Sequence, residues 1–201
     1  MNIFEKIKFT LKKPKIIIVT GEGRILAAKA IEIVLKKYKK EVLIFETDLT
    51  TLDSKHLTWL IKNSSLPILL VTHIGHIPPD KDFFAGEREK TIEIRKLAKI
   101  LPVFGHLILN FDDETAREIK DETNLNEITF GFQERADFRA TDIRLDSGTN
   151  FKINHEGDVV PVWLEKLFGK EQIYSALSAA AVGVIFNLNL IEISQALRDA
   201  Y

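Results

Sequence analysis

The chain has no cysteine among its 201 residues. That excludes disulfides, thiolate nucleophiles and every metal centre built on cysteine, and it suits a reducing compartment. An excess of one charge is lacking as well. Lys and Arg number 28 against 29 Asp and Glu, a net charge of −1, so no global field points to nucleic acid. No apolar run approaches the ~18 residues that would cross a bilayer. No Gly-x-Ser-x-Gly elbow or Ser-His-Asp pattern is present, which removes the usual serine-hydrolase chemistry. What remains is an ordinary globular composition, 45% hydrophobic and 28% charged, long enough for one large domain with a sizeable core.

Residues 1–14 form a basic amphipathic segment, with Ile3, Phe4, Ile7 and Leu11 spaced for one helical face. It lacks the long apolar core and cleavage site of a secretory signal. Two readings stand. The segment is a first helix packed on its own domain with its lysines in water, or it rests on an anionic membrane surface.

From Lys15 onward strands and helices alternate. The apolar runs 15–20, 41–46, 66–75, 106–111 and 127–132 read as strands, and 24–40, 53–63, 86–101 and 113–124 as the helices between or after them. Continuous apolar strands separated by helices predict a parallel sheet covered on both faces. Residues 136–164 change to short alternating runs broken by "DSGTN" and "NHEGD", the pattern of two or three antiparallel strands. Beyond Gly169 the chain is helical again. The fold class expected is α/β: a P-loop-type, mainly parallel sheet covered by helices, with a small antiparallel β appendage at 136–164.

Ligands of such sheets bind beyond the carboxyl ends of the strands, and three candidates fall there. "TGEGR", Thr20 to Arg24, follows the first strand and opens a helix. Gly21 and Gly23 would let backbone N–H groups and the helix end approach a phosphate. A working phosphate loop also needs a Lys and a hydroxyl on Mg²⁺. Without a gap those positions hold Ile25 and Leu26; with one residue deleted they hold Arg24 and Ile25. A plain tight turn explains the glycines equally. Glu46, at the end of the second strand with Asp48 beyond it, stands where a Walker-B-type carboxylate would hold Mg²⁺. Asn110, Asp112 and Asp113 leave the fourth strand, and Asp113 also suits a helix cap. His73 and His76 could bring two imidazoles together, but no third ligand is evident for zinc. Trp59 and Trp163 read as core.

Taken together, the segments from Lys15 to Tyr201 resemble the central ATP-binding domain of the Mur ligases, which add amino acids to the peptidoglycan precursor, and are nearest to the member that adds the terminal dipeptide. "GHLILNFDDE" (105–114), "TFGFQERADFRATDI" (129–143), "GKEQIYSALSAAAVGVIFNL" (169–188) and "VTHIGHIP" (71–78) look like the family's motifs in the family's order. The resemblance implies a cytoplasmic enzyme that uses ATP and Mg²⁺ to join an acid to an amino acid. Nucleotide contacts would come from Thr20, Gly21, Glu22, Gly23, Arg24, Asn110 and Asp112, and metal contacts from Glu46 and His73. Departures fall on the chemistry. The loop Lys and hydroxyl are replaced, and the Asn before Ile-Gly is His73, with the following His near Pro78. The carbamylated Lys matches Ile94, and the adenine-side His and Asn match Glu171 and Ser175. The flanking ligase domains have no counterpart in the sequence, so a UDP-sugar peptide precursor would be engaged only with other domains or proteins. The alternatives are a catalytically silent nucleotide- or protein-binding module, and a membrane-apposed scaffold.

Overall fold

The computed structural model describes residues 3–49, 54–75, 85–121 and 125–199. His76 and Pro78 lie outside them. The elements run α1 (Ile3–Lys12), β1 (Lys15–Thr20), α2 (Arg24–Lys37), β2 (Leu43–Glu46), α3 (Ser54–Lys62), β3 (Leu66–Val71), α4 (Ala85–Ile100), β4 (His106–Asn110), α5 (Glu114–Asp121), β5 (Asn126–Gly131), β6 (Phe138–Arg144), β7 (Gly148–His155), β8 (Asp158–Glu165), α6 (Lys170–Ile185) and α7 (Leu190–Arg198). One eight-stranded sheet has the order β2-β1-β3-β4-β5-β6-β7-β8.

Pairing is parallel from β2 through β6. The reason is written in β1. Ile17 and Val19 face one apolar cluster, built with α2, α6 and α7, while Ile16 and Ile18 face another, built with α3, α4 and α5. Both faces are buried, so the run from Ile16 to Val19 is apolar at every position instead of every second one. All five parallel strands before β6 therefore end on the same edge. That edge carries the candidate site.

The appendage is not separate. β6 starts beside the last residues of β5, pairing Phe130 with Phe138 and Gly131 with Arg139 in parallel. Only β7 and β8 turn antiparallel. A parallel neighbour ordinarily needs a long crossover, but here two pairs suffice because the chain loops out and continues one strand over. On β8, Val162 and Leu164 enter the core under α6 and α7. Their neighbour Trp163 points away and is 46% exposed. The expectation of a core Trp163 is thus corrected: the sheet is covered on one face here, and strand parity puts the indole outside. Trp59 is half-buried beside Phe9, their rings 5.1 Å apart.

α1 departs from the expected packing. It touches the domain through Phe9, which is buried in the second cluster, while Phe4, Ile7 and Leu11 face solvent.

Candidate functional site

The connection from β1 to α2 is Gly21 to Gly23, and its two glycines are separated by one residue, against the four that separate the glycines of a phosphate loop. Gly21 has φ +99°, and a Cβ there would stand 2.6 Å from the His73 carbonyl and 2.7 Å from the Thr72 hydroxyl. Only glycine fits such an approach. The loop is closed on the β3 exit. Glu22 N donates to His73 O at 2.7 Å, and Arg24 N donates to Gly21 O at 3.4 Å. The Thr72 hydroxyl reaches the carbonyls of Thr20 and Glu22. Backbone donors that would face a phosphate are thus partly engaged within the protein.

Arg24 turns sideways, its Nε 3.1 Å from Glu46 Oε1. β2 pairs with β1 so that Glu46 sits beside Val19, which places the carboxylate next to the first turn of α2. Ile25 is exposed and Leu26 half-buried. Asp48 is held 2.7 Å from Lys90.

The two acids leaving β4 act as clamps. Asp113 Oδ2 accepts from Ile74 N at 2.6 Å and Gly75 N at 3.0 Å, and lies 2.9 Å from His73 Nδ1. Its Oδ1 caps α5 by accepting from Ala116 N, as the sequence suggests. The side chain is wholly buried. Burial pushes its carboxyl up, but the hydrogen bonds from His73, Gly75, Ile74 and Ala116 outweigh that and hold it below the usual carboxylate range. The same hydrogen bond raises the His73 imidazole above its ordinary value, against the opposing effect of burial. Asp112 ties β4 to β5 and α6. It accepts from Phe132 N at 2.7 Å, Gln133 N at 3.2 Å and the Tyr174 hydroxyl at 3.0 Å. A side chain at Gly131 would collide with its carboxylate. Burial, then the nearby Asp112 charge, push the Tyr174 phenol up. Asn110 is buried and accepts from Asp112 N.

The edge therefore gathers Thr20–Arg24, Glu46, His73 and Asn110–Asp113, but in two groups. Glu46 engages Arg24, on the outer side of β1, while His73 leans across to Asp113 from β4. Among the described residues no cluster of three or more His, Asp or Glu could hold a metal ion. The ATP and Mg²⁺ that the resemblance implies meet a poor fit: the hydroxyl position is apolar, the loop cation is paired, and Asp113 has its oxygens occupied. Thr72 and Tyr174 were not legible as site residues. Their partners lie 50 and 62 residues away, and no local spacing announces that.

The family model described as "Mur ligase middle domain" matches residues 33–183, more than half of the chain. The chain belongs to the Mur ligase family. The UDP-N-acetylmuramate–L-alanine ligase of Persephonella marina is 31% identical over 103 residues, 51% of this chain and 22% of the relative. Among solved structures, the D-alanyl-D-alanyl-adding ligase of Acinetobacter baumannii superposes with a TM-score of 0.75 at 15% identity, over 96% of this chain and 48% of that one. MurF of Thermotoga maritima, in complex with ADP, gives 0.70 at 15% identity over 95% and 51%. Likeness to the terminal-dipeptide ligase is thus carried by the fold. The Mur ligase match begins inside α2, beyond the Thr20–Arg24 loop. This Mur ligase domain spans about half the length of those solved relatives and about a fifth of that curated one.

Ile94 is 1% exposed and shares an apolar cluster with Leu97, Ala98, Leu101 and Leu109. Ser175, on α6, is buried and donates back to Gln172 O.

Proposed function

We propose that this chain is a Mur ligase central domain that does not drive ATP-dependent ligation alone and works as a nucleotide- or protein-binding module. Its setting is the peptidoglycan-precursor ligation of its family. The Arg24–Glu46 pair carries the reading. It joins the only cation of the loop to the carboxylate that would hold Mg²⁺, with Ile25 and Leu26 where the family's Lys and hydroxyl stand. The T. maritima relative was solved with ADP; here nucleotide contact would rest on Gly21, Gly23 and a released Arg24, with Asn110 and Asp112 held in the scaffold. The UDP-sugar precursor would be engaged only with other domains or a partner protein.

Calorimetric titration with ATP, with and without Mg²⁺, tests this. Each missing charge-assisted contact is worth ~1.5–3 kcal/mol, or roughly one to two decades of affinity. Weak or undetectable binding with little Mg²⁺ dependence is expected. A low-micromolar, Mg²⁺-dependent dissociation constant would sink the reading.

A further inference from the structure

The opposite end of the sheet carries a feature that a nucleotide site does not use. At the amino ends of β1 and β2 lies a groove of 930 Å³, lined by Lys8, Lys12, Lys13, Lys15, Lys36, Lys39 and Lys40 against two acids, Glu5 and Glu41. The whole chain is nearly neutral, so this is a local concentration of charge. Lys36 pairs with Glu32, and Lys15 sits over the Phe186 ring. Lys8, Lys12, Lys13, Lys39 and Lys40 form no ion pair among the described residues.

α1 forms one wall of this groove. Positions 5, 8, 9, 12 and 13 face into it, and Phe9 anchors the helix. Directly opposite Phe9, Phe4, Ile7 and Leu11 repeat at i, i+3 and i+7, and are 80%, 54% and 80% exposed. Folding has turned the apolar stripe outward. Lys8 and Lys12 flank it on one side, both exposed, while Lys6 on the other lies over the Trp59 ring. A helix anchored by one aromatic, with an outward apolar rim beside exposed lysines, is shaped to lie in the plane of a lipid interface.

We propose that this end of the molecule docks on an anionic lipid surface, with Phe4, Ile7 and Leu11 entering the headgroup boundary and the groove lysines facing the lipid phosphates. One feature favours lipid over a second copy of the chain: an isologous dimer would bring the two lysine sets together. A free polyanion would satisfy the lysines but leave the stripe without a role. The docking end lies across the sheet from the Thr20–Arg24 loop, so the inference stands whatever that loop binds.

Vesicle flotation of the full chain tests it. Binding is expected to vesicles of phosphatidylcholine with phosphatidylglycerol, weakening at high salt, and not to phosphatidylcholine alone. Phe4→Ser with Leu11→Ser, and separately Lys8→Gln with Lys12→Gln, should each weaken binding about tenfold or more. Thermal melts should stay unchanged, since all four side chains are exposed. Equal binding to both vesicle types, no binding, or variants that bind like the parent would overturn the proposal. So would loss in the lysine variant alone, which reduces the surface to a charge patch. A dimer seen by light scattering that the Phe4→Ser, Leu11→Ser variant dissolves would assign the stripe to a second copy.

Discussion

At the scale of single residues, Asp113 shows how a family motif can be read correctly and still hide its use. Its capping of α5 was legible, because an acid before an acidic first turn has a local meaning. Its hold on His73, Ile74 and Gly75 was not, since those partners lie in the segment beyond β3, 38 to 40 positions away. Removing it leaves three backbone donors without an acceptor and an imidazole without its partner. Asp113→Ala should therefore cost about 3–5 kcal/mol in urea unfolding. His73→Ala should cost about 1 kcal/mol or less, because that ring is nearly half exposed and solvent screens the pair. The pH dependence has a definite sign. His73 is raised above 6.5 in the folded state, so its contribution is full below that value and is lost as pH climbs through the raised one. Asp113 is lowered below 3.8, so its contribution is present above that value and fades as pH falls through the lowered one. The difference in Tm between the parent and His73→Ala should be largest at mildly acid pH and shrink on the alkaline side. A difference that grows with alkaline pH would contradict the pairing.

Elements were legible to the degree that burial wrote them into the sequence. β1, β3 and β4 are covered on both faces and read as apolar runs. The bounds of β1 and β4 follow closely, whereas β3 stops at Val71 and not at residue 75, because Thr72–Gly75 leave the sheet to bond the first loop and Asp113. β8 is covered on one face, so its pattern alternates, and Trp163 falls outside by parity with Val162 and Leu164. α1 was legible as amphipathic, but not in which face it turns inward. The pattern offered four apolar residues, Ile3, Phe4, Ile7 and Leu11, for the core. Phe4, Ile7 and Leu11 face solvent, and Phe9, its ring tilted against that of Trp59, makes the contact. α4 shows the same logic at the place where the family resemblance puts a carbamylated lysine. Ile94 lies in the stripe that packs on β4 through Leu97, Ala98 and Leu101. Ile94→Lys would forfeit ~1.5–3 kcal/mol of apolar burial and place an ammonium among apolar side chains with no partner. The expected outcome is a loss of at least about 3 kcal/mol in urea unfolding, with no ATP hydrolysis gained in excess Mg²⁺. Unchanged stability together with new hydrolysis would show a polar site intact around position 94.

At the scale of the whole molecule, one sheet serves two cores. Ile16 and Ile17 are neighbours on β1, yet they belong to opposite apolar clusters, and the same division runs through β3 and β4. Neither helical layer can release its strands without stripping the other layer of its floor. α1, at the rim, depends on this arrangement through Phe9 and Trp59, whereas β7 and β8 extend the sheet under α6 and α7 alone. If the shared strands govern stability, the chain should unfold in one transition, as single domains of this size generally do. The two tryptophans permit the check, since they sit on opposite kinds of surface. In a Trp163→Phe variant, fluorescence reports Trp59 and the α1–α3 layer, while far-UV circular dichroism reports all the helices. Trp163 is exposed, so its replacement should shift stability by no more than about 0.5 kcal/mol. The two urea curves should then coincide, with one midpoint and one slope. A fluorescence midpoint well below the dichroism midpoint would mean that α1 and α3 peel away from a sheet that survives them, and the shared-floor argument would fail.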